Sequence, residues 1–307
     1  MKPSPAICVV GSINMDLVFR TPRMPVAGET ISGHEFLQIA GGKGANQAVA
    51  AARQGARTTL VGCVGDDANG LQSLDGLKRD GIDINHINTI SGCATGVAGI
   101  FVDDQARNCI VIAPGANARL TPDHVDNPAL RKAQLLICQC ETPVPTIQAA
   151  MEIAQRHGVE VVFNPAPAID LPDAIFKLVN YLVVNETEAT QISGVAVNSV
   201  DTARDAAQKL LARGVHCVLL TLGDQGVCVC SANEFHHIPA IKVQAVDTTA
   251  AGDTFVGAFA TAIGQGLTAL EAAREAQYSA ALTVTRIGAQ SSIPHRAEVE
   301  QFKASHS

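Results

Sequence analysis

The chain has 307 residues, of which 47% are hydrophobic and 17% are charged, and its formal net charge at pH 7 is −7. This length and apolar content are sufficient for a large buried core, in one large domain or in two. The acidic balance offers no basic surface for nucleic acid or for an anionic membrane, which excludes these two partner classes. We therefore expect the partners to be small molecules.

The apolar runs and the cysteines indicate the cellular compartment of the protein. No apolar run approaches the roughly 18 residues of a membrane helix, and no signal-peptide pattern precedes the first apolar run at residues 6–10. The nine cysteines are an odd number and lie mostly inside apolar runs, so we interpret them as small buried side chains in a reducing environment. These features predict a cytoplasmic protein.

Runs of strand length alternate with helical segments along most of the chain. The predicted strands are residues 6–10, 59–64, 87–90, 135–138, 159–163, 181–184 and 217–220. The predicted helices are residues 43–54, 68–80, 144–157, 186–192 and 201–213. This alternation predicts a parallel sheet with helices on both faces. Two closely spaced strands at 227–230 and 235–238 predict an antiparallel edge.

Two segments, residues 17–38 and 95–113, depart from this alternation. Both contain short apolar runs and turns without helices, and the second predicts a β-hairpin that turns at residues 103–105. We interpret them as β segments inserted into a single domain that spans residues 1–307. A sheet face that exposes Phe36, Ile100, Phe101 and Val102 would need a cover.

Residues 247–259 carry the strongest candidate for chemistry. An extended apolar run at 241–246 leads into small residues and then a helix, so Ala250, Ala251, Gly252 and Asp253 lie at a helix N-terminus. Free N–H groups there bind anions such as phosphate. The Asp253 carboxylate could accept the proton of an alcohol that attacks phosphorus. The alternative is that Asp253 only caps the helix.

Other polar segments follow predicted strands. Asn14 and Asp16 follow the first strand, residues 185–188 follow the strand at 181–184, and residues 221–226 follow the strand at 217–220. Ligands bind beyond the carboxyl ends of parallel strands. Turn chemistry, and a capping box at 185–188, remain alternatives. The glycine-rich stretch 40–48 opens a helix and suits phosphate or a polyol, although such a loop is common.

Taken together, segments 40–48, 185–188 and 247–259 resemble the signatures of the PfkB carbohydrate kinase family, and the resemblance runs from Gly11 to Ser292. It implies an open, mostly parallel α/β sheet with helices on both faces and a small β-sheet lid formed by 17–38 and 95–113. It also implies ATP-dependent phosphorylation of a pentose, with D-ribose converted to D-ribose 5-phosphate. The alternative substrates are 2-deoxyribose, fructose and adenosine. The family's lids often pair in a homodimer.

The resemblance assigns roles to particular residues. It makes Asp253 the general base and places an anion hole at Ala250, Ala251 and Gly252. It assigns the sugar contacts to Asn14, Asp16, Gly42, Lys43, Asn46, Glu141 and Asp253. It assigns the nucleotide contacts to Asn185, Thr221, Gly223, Asp224, Gly226, Gly252 and Gln277. It assigns Mg²⁺, through water, to Glu188, and an activating K⁺ to Asp247, Thr249, Thr283, Arg286, Gly288 and Ser292.

Other classes fit the sequence less well. A nicotinamide dehydrogenase would need Gly-x-Gly-x-x-Gly after the first strand, and residues 11–14 lack it. A Walker A motif is absent from the sequence, which excludes a P-loop kinase. A non-catalytic sugar or nucleotide sensor could keep the fold but would not need Asp253 beside Gly252. Met15 and Gly99 depart from the pattern of ribose kinases and leave the sugar open.

Overall fold

The computed structural model describes residues 4–105 and 107–306 and consists of alternating strands and helices. The strands are β1 (Ala6–Val10), β2 (Asn14–Thr21), β3 (Glu35–Gly41), β4 (Arg57–Gly65), β5 (Asp83–Ile90), β6 (Gly96–Asp103), β7 (Asn108–Ala113), β8 (Leu135–Cys138), β9 (Glu160–Phe163), β10 (Tyr181–Asn185), β11 (Cys217–Thr221), β12 (Val227–Ser231) and β13 (Phe235–Ile238). The helices are α1 (Lys43–Arg53), α2 (Ala68–Arg79), α3 (Pro122–Val125), α4 (Pro128–Arg131), α5 (Val144–Arg156), α6 (Asp173–Phe176), α7 (Glu186–Ser193), α8 (Val200–Ala212), α9 (Ala251–Gly264), α10 (Ala269–Thr283) and α11 (Arg296–Ser305).

A large sheet forms the centre of the molecule. Within the described residues it has nine strands in the order β13-β12-β11-β10-β9-β8-β1-β4-β5. The strands from β11 to β5 are parallel, whereas β12 and β13 run antiparallel at one edge. The inner strands are mostly apolar because helices cover both faces; every residue of β8, for example, is buried. The predicted parallel sheet and its antiparallel edge are confirmed.

Two apolar layers lie on opposite faces of this sheet. One layer contains Val49 of α1, Phe259 of α9 and Ala273 of α10. The other contains Ile147 of α5 and Leu210 of α8. Helices therefore flank the sheet on both sides, as the alternation of elements predicts.

A second, small sheet has the strand order β3-β2-β6-β7. Strands β2 and β6 pair in parallel, and β3 and β7 pair antiparallel on the outside. The predicted hairpin is β6–β7, whose turn is held by Asp103, which accepts hydrogen bonds from the backbone N–H groups of Gln105 and Arg107 at 3.0 Å each. Residue 106, inside the predicted segment 95–113, lies outside the described residues, as do residues 1–3 and 307 of the predicted domain.

The two faces of the small sheet differ in character. On β2, Asn14 and Asp16 share one face, and Phe19 lies on the other. Phe19 contacts the rings of Phe36 and Phe101, with centroids 5.0 and 5.4 Å apart. We predicted that Phe36, Ile100, Phe101 and Val102 share one exposed face of the sheet. This prediction is wrong, because side chains alternate along β6 and place Ile100 and Val102 on the other face from Phe101.

The segment before α9 also differs from the prediction. The expected extended run at 241–246 is not a strand but irregular chain. Val246 and Asp247 both donate their backbone N–H groups to the carbonyl of Val284, at 2.7 and 3.2 Å. The run is therefore attached to the end of α10 instead of to a sheet.

Seven of the nine cysteines are buried, which confirms the prediction for these; Cys93 is half-buried and Cys109 is exposed. Burial, the larger cause, and the nearby Asp83 carboxylate raise the pKa of the Cys8 thiol to about 12, so this side chain is an unreactive part of the core. In the part of the chain that the structure describes, no helix is both long and apolar enough to span a membrane.

Candidate active site

The candidate residues gather along the carboxyl edge of the parallel strands. Glu141 follows β8 after two residues, Asn185 ends β10, and Thr221 ends β11. Asn185 and Thr221 are paired in register on neighbouring strands. One end of this edge carries the predicted sugar contacts, and the other carries the predicted nucleotide contacts. The sheet thus aligns the two sets along one side of the molecule.

Glu141 is the centre of the sugar end. Its Oε2 accepts hydrogen bonds from Ser12 Oγ at 2.5 Å, from the backbone N–H of Lys43 at 3.1 Å and from Asn14 Nδ2 at 3.5 Å. Asn14 in turn accepts from Asn117 Nδ2 at 2.7 Å. Glu141 therefore ties together the end of β1, the start of β2 and the start of α1. An open cavity of about 350 Å³ is lined by Asn14, Asn117 and Glu141, among others.

The glycine pair before α1 makes the close approach of these segments possible. Gly42 has φ 89°, a left-handed conformation, and a Cβ there would lie 2.7 Å from the backbone nitrogen of Asn14. A Cβ on Gly41 would collide with the carboxylate of Asp16. The glycines are therefore required by backbone geometry, and they bring Lys43 and Asn46 next to β2.

Asp253 lies in the first turn of α9 and is 8% exposed. Its Oδ2 accepts a hydrogen bond from Asn46 Nδ2 at 3.0 Å, and its Oδ1 accepts one from Gln47 Nε2 at 2.9 Å. The residue at the N-cap position is Ala250, which caps through no side chain. The interpretation of Asp253 as an N-cap is therefore wrong, because its carboxylate points to α1 and not to its own helix.

The N-terminus of α9 is open. Ala250 has φ 60°, the left-handed conformation that residues other than glycine rarely adopt. A Cβ added to Gly252 would meet no atom within 4 Å. The N–H of Ala251 donates to the carbonyl of Thr248 at 3.3 Å, whereas those of Gly252 and Asp253 have no intrahelical acceptor, so this end can receive an anion next to Asp253.

The carboxylates of the sugar end interact with one another. Burial, the largest cause, and the charges of Glu141 and Asp253 together raise the pKa of Asp16 to about 7, although Lys43 opposes the shift. Burial lowers the pKa of Lys43, but the surrounding carboxylates outweigh burial and hold it above its usual range. Lys43 therefore stays charged and partly neutralises an acidic, hydrogen-bonding site.

Glu188 and Asn185 open α7 at the nucleotide end. They form a capping box, in which Asn185 Oδ1 accepts from the N–H of Glu188 at 2.8 Å and Glu188 Oε2 accepts from the N–H of Asn185 at 3.0 Å. Burial raises the pKa of Glu188, although the hydrogen bond and Lys43 oppose this. The capping interpretation is confirmed, and Glu188 Oε1 has no hydrogen-bond partner within the described residues.

The loop after β11 holds the next predicted nucleotide contacts. Gly223, Asp224 and Gln225 form a short 3₁₀ turn, and Gly226 has φ 102°. A Cβ on Gly226 would overlap the carbonyl of Ile238, so this position needs glycine. Gln277 of α10 donates to the same Ile238 carbonyl at 3.3 Å, which places it next to this loop.

The predicted cation loop is held by Asp247. Its Oδ1 accepts from the N–H of Thr249 at 2.9 Å, and its Oδ2 accepts from the N–H of Gly288 at 3.0 Å. Burial raises the pKa of Asp247, but these hydrogen bonds hold it below its usual range, so the carboxylate is charged. The structure thus joins the segment before α9 to the segment after α10.

Of the other three predicted cation residues, Thr283 ends α10, and Arg286 and Ser292 lie on the segment after it. Thr283 Oγ1 donates to Thr254 Oγ1 of α9 at 3.1 Å. Arg286 donates to Glu298 at 2.8 Å, and Ser292 Oγ donates to the carbonyl of Ala289 at 2.8 Å. The side chain of Arg286 therefore turns toward α11.

Met15 and Gly99 face away from the predicted sugar contacts Asn14 and Asp16. Met15 is buried between Asn14 and Asp16 on β2 and therefore points to the opposite face. Gly99 pairs with Leu17, one position beyond Asp16, and also belongs to that opposite face. Neither departure from the expected pattern changes the side chains on the face of Asn14 and Asp16.

The sequence interpretation missed five polar residues of the site. These are Ser12, Gln47, Asn117, Gln139 and Asn164. Gln139 and Asn164 each follow a predicted strand directly, which is a signal that could have identified them. Gln47 contacts Asp253 and Asn117 contacts the backbone of Ile13, each more than 100 residues away along the chain. The local sequence pattern around Gln47 and Asn117 therefore gives no sign of these contacts.

Comparison with known proteins agrees with this geometry. A profile of the pfkB family carbohydrate kinases matches residues 4–296. The chain is 43% identical over 298 residues to the ribokinase of Haemophilus influenzae, covering 96% of this chain and 97% of that protein. It is 38% identical to the deoxyribokinase of Salmonella typhi, covering 96% and 97%. The structure of Arabidopsis thaliana ribokinase complexed with ribose and ATP is 31% identical, with a TM-score of 0.91 and coverage of 98% and 99%.

Proposed function

Since the chain belongs to the PfkB family of carbohydrate kinases and is an ATP-dependent sugar kinase, we propose that its substrate is D-ribose and its product D-ribose 5-phosphate. The observation that carries this proposal is the buried carboxylate of Asp253 beside the open N-terminus of α9. A base and an anion site in contact are what the transfer of a phosphoryl group to an alcohol requires. The relative from Arabidopsis thaliana binds ribose and ATP.

In the proposed reaction the primary hydroxyl of the sugar attacks the γ-phosphorus of ATP. Its proton passes to Asp253 as the new P–O bond forms, and the bond from phosphorus to the ADP oxygen breaks. The N–H groups of Ala250, Ala251 and Gly252 would stabilise the negative charge on the transferring group. Asn46 and Gln47 keep the carboxylate directed toward α1, where the sugar contacts lie.

The proposed sugar contacts are Asn14, Asp16, Gly42, Lys43, Asn46 and Glu141. Asn46 Oδ1 is buried and has no hydrogen-bond partner within the described residues, so it can accept from a hydroxyl. Carboxylates and amides in this number suit a ligand that consists mostly of hydroxyl groups. A non-catalytic sensor would have no use for a base at the anion site.

We expect ribose to give the highest kcat/KM of a panel of ribose, 2-deoxyribose, fructose and adenosine. Loss of one hydroxyl leaves buried polar groups unpaired, at about 1–3 kcal/mol, or roughly a five- to 150-fold preference over 2-deoxyribose. Coupled-assay kinetics at saturating ATP measure the ratio. A higher value for 2-deoxyribose would instead assign the chain the activity of its Salmonella relative.

We assign the nucleotide to Asn185, Thr221, Gly223, Asp224, Gly226, Gly252 and Gln277. Glu188 suits Mg²⁺ through water, because one carboxylate oxygen serves the capping box and the other is unpartnered within residues 4–105 and 107–306. A bound Mg²⁺ would neutralise phosphate charge. The protein would contribute the loop at residues 221–226 and the capped start of α7, which hold the proposed nucleotide contacts and Glu188 in position.

We also propose K⁺ as an activator, held mainly by backbone carbonyls around Asp247, Thr249, Thr283, Arg286, Gly288 and Ser292. The charged Asp247 supplies the negative potential, and its loop leads directly into Ala250. An ion that orders this loop would preorganise the anion hole.

Rates in K⁺ should accordingly exceed those in Na⁺ or tetramethylammonium by roughly fivefold or more, a coupling of about 1 kcal/mol. The measurement is kcat at fixed ionic strength, with ATP affinity followed separately. Asp247→Asn should reduce the difference among salts. Equal rates in all three salts for the unmodified protein would contradict the proposal.

The small sheet supports two further proposals. Its strands expose Phe36 to 51%, Ile110 to 51% and Val111 to 67%. An uncharged edge strand such as β7 invites a partner. We propose that the chain is one domain whose small sheet acts as a lid and pairs with the lid of a second copy in a homodimer.

We propose the cytoplasm as the location of the protein, because its free cysteines suit a reducing compartment.

A further inference from the structure

Three buried amide side chains form a chain of hydrogen bonds that ends on Asp253. Gln139 Nε2 donates to Gln47 Oε1 at 2.7 Å. Gln47 Nε2 donates both to Asp253 Oδ1 at 2.9 Å and to Asn164 Oδ1 at 3.1 Å. Asn164 Nδ2 donates to the backbone carbonyl of Val183 at 2.9 Å. These amides belong to α1 and to the carboxyl ends of β8 and β9, so they link the sheet to the first turn of α9.

The direction of this chain is determined by its fixed end. The carbonyl of Val183 can only accept, so Asn164 must present its NH₂ group to Val183 and its oxygen to Gln47. Gln47 therefore presents its NH₂ group, and its second hydrogen is directed at Asp253. A flip of the Gln47 amide would break three hydrogen bonds at once.

We propose that Gln47 is a positioning residue for Asp253, which deepens the proposed function and rests on Asp253 being the base. Gln47 holds one carboxylate oxygen and Asn46 holds the other, so the carboxylate plane cannot rotate. Each oxygen still has a lone pair for the proton of the sugar hydroxyl.

The close packing of α1 against α9 restricts the conformation of the Gln47 side chain. Gly257 of α9 lies against Ala50 and the carbonyl of Gln47, so that a Cβ at Gly257 would be 2.6 Å from each. Gln47 itself is fully buried. The helix spacing thus restricts Gln47 to few rotamers, as precise positioning of a reacting group requires.

The first test is Gln47→Met, which keeps the length and removes both polar atoms. We expect kcat to fall about 10- to 100-fold with the KM of both substrates within about threefold. The matched control is Gln54→Met at the end of α1, where Gln54 Nε2 donates to the carbonyl of Pro294 at 2.9 Å. It should lower Tm and leave kcat unchanged.

A double-mutant cycle separates positioning from a general loss of structure. In the Asp253→Asn background, Gln47→Met should cost little further kcat, because it acts only through the carboxylate. If Gln47→Met does not fold, Gln47→Glu keeps the shape and the acceptor for Gln139. It should also lower kcat, because it removes the donor to Asp253 Oδ1 and places a second carboxyl beside the first.

The possible outcomes distinguish this inference from its premise. Wild-type kcat in either folded Gln47 variant would overturn the positioning role while leaving Asp253 as the base. A near wild-type rate for Asp253→Asn would remove the base itself. A lowered kcat with equal further loss in the Asp253→Asn background would make Gln47 a structural residue only.

Discussion

Asp253→Asn is expected to lower kcat by about 10²–10⁴-fold, or roughly 3–5.5 kcal/mol of barrier, because general base catalysis contributes that much. The substitution keeps the shape of the side chain and removes the basic oxygen. ATP affinity should change little, since the open N–H groups of α9 remain. Single-turnover rates and nucleotide titration on the same variant measure both quantities.

The structure adds an effect on stability to this prediction. Both carboxylate oxygens accept from amide donors, Asn46 and Gln47, and the introduced amide has only one oxygen. One donor therefore loses its acceptor, at about 1–3 kcal/mol, and Tm should fall. Asp67→Asn is the control, because Asp67 is a genuine N-cap of α2 and should keep kcat. A loss of less than tenfold for Asp253→Asn would remove Asp253 from the mechanism.

Gly257→Ala is expected to destabilise the fold and to lower activity at the same time. The added Cβ would lie 2.6 Å from Ala50 Cβ, 2.6 Å from the carbonyl of Gln47 and 2.8 Å from the nitrogen of Ala51. Two of these are backbone atoms, so α1 and α9 must separate, at about 1–3 kcal/mol. Each kcal/mol lowers Tm by about 2–4 °C in a large domain. Because the separation moves Gln47 from Asp253, kcat should fall as well.

The control for Gly257→Ala is the same substitution at Gly76 in α2. A Cβ there would meet only the end of the Arg79 side chain, at 4.0 Å. Gly76→Ala should therefore raise the free energy of unfolding by about 0.5–1 kcal/mol through its helix propensity. Thermal unfolding followed by circular dichroism compares the two. Equal shifts for both variants would show that helix spacing at Gly257 is not limiting.

The sequence predicted the large sheet because its inner strands are continuous apolar runs. It predicted β5 only in part: the strand begins at Asp83, whereas the prediction began at residue 87. Residues 83–86 include Asp83, Asn85 and His86, which are polar because β5 lies at the sheet edge. Edge strands are half-exposed, and their apolar pattern is correspondingly weak.

The candidate site was predictable where its residues are contiguous, as in 40–48, 185–188 and 247–259. The hydrogen bonds of Asp253 were not, because Gln47 reaches it from α1, and Asn164 in turn contacts Gln47 from the end of β9, through contacts that leave no local pattern. The left-handed turn at Ala250 was not predictable either, since alanine gives no sign of a positive φ. Tertiary contacts impose that conformation.

The parallel pairing of β2 with β6 has a consequence for the order of folding. Asn14 lies opposite Gly96, so this pairing spans β3, α1, β4, α2 and β5. Closing so long a chain loop costs entropy before the pairing stabilises anything, and such contacts form slowly. The pairing of β1 with β8, in which Ile7 lies opposite Leu135, closes a still longer loop within the large sheet. We therefore expect the sugar end, which depends on β1, β2 and β8, to acquire its native structure after the nucleotide end, whose strands β10 and β11 lie closer together in sequence.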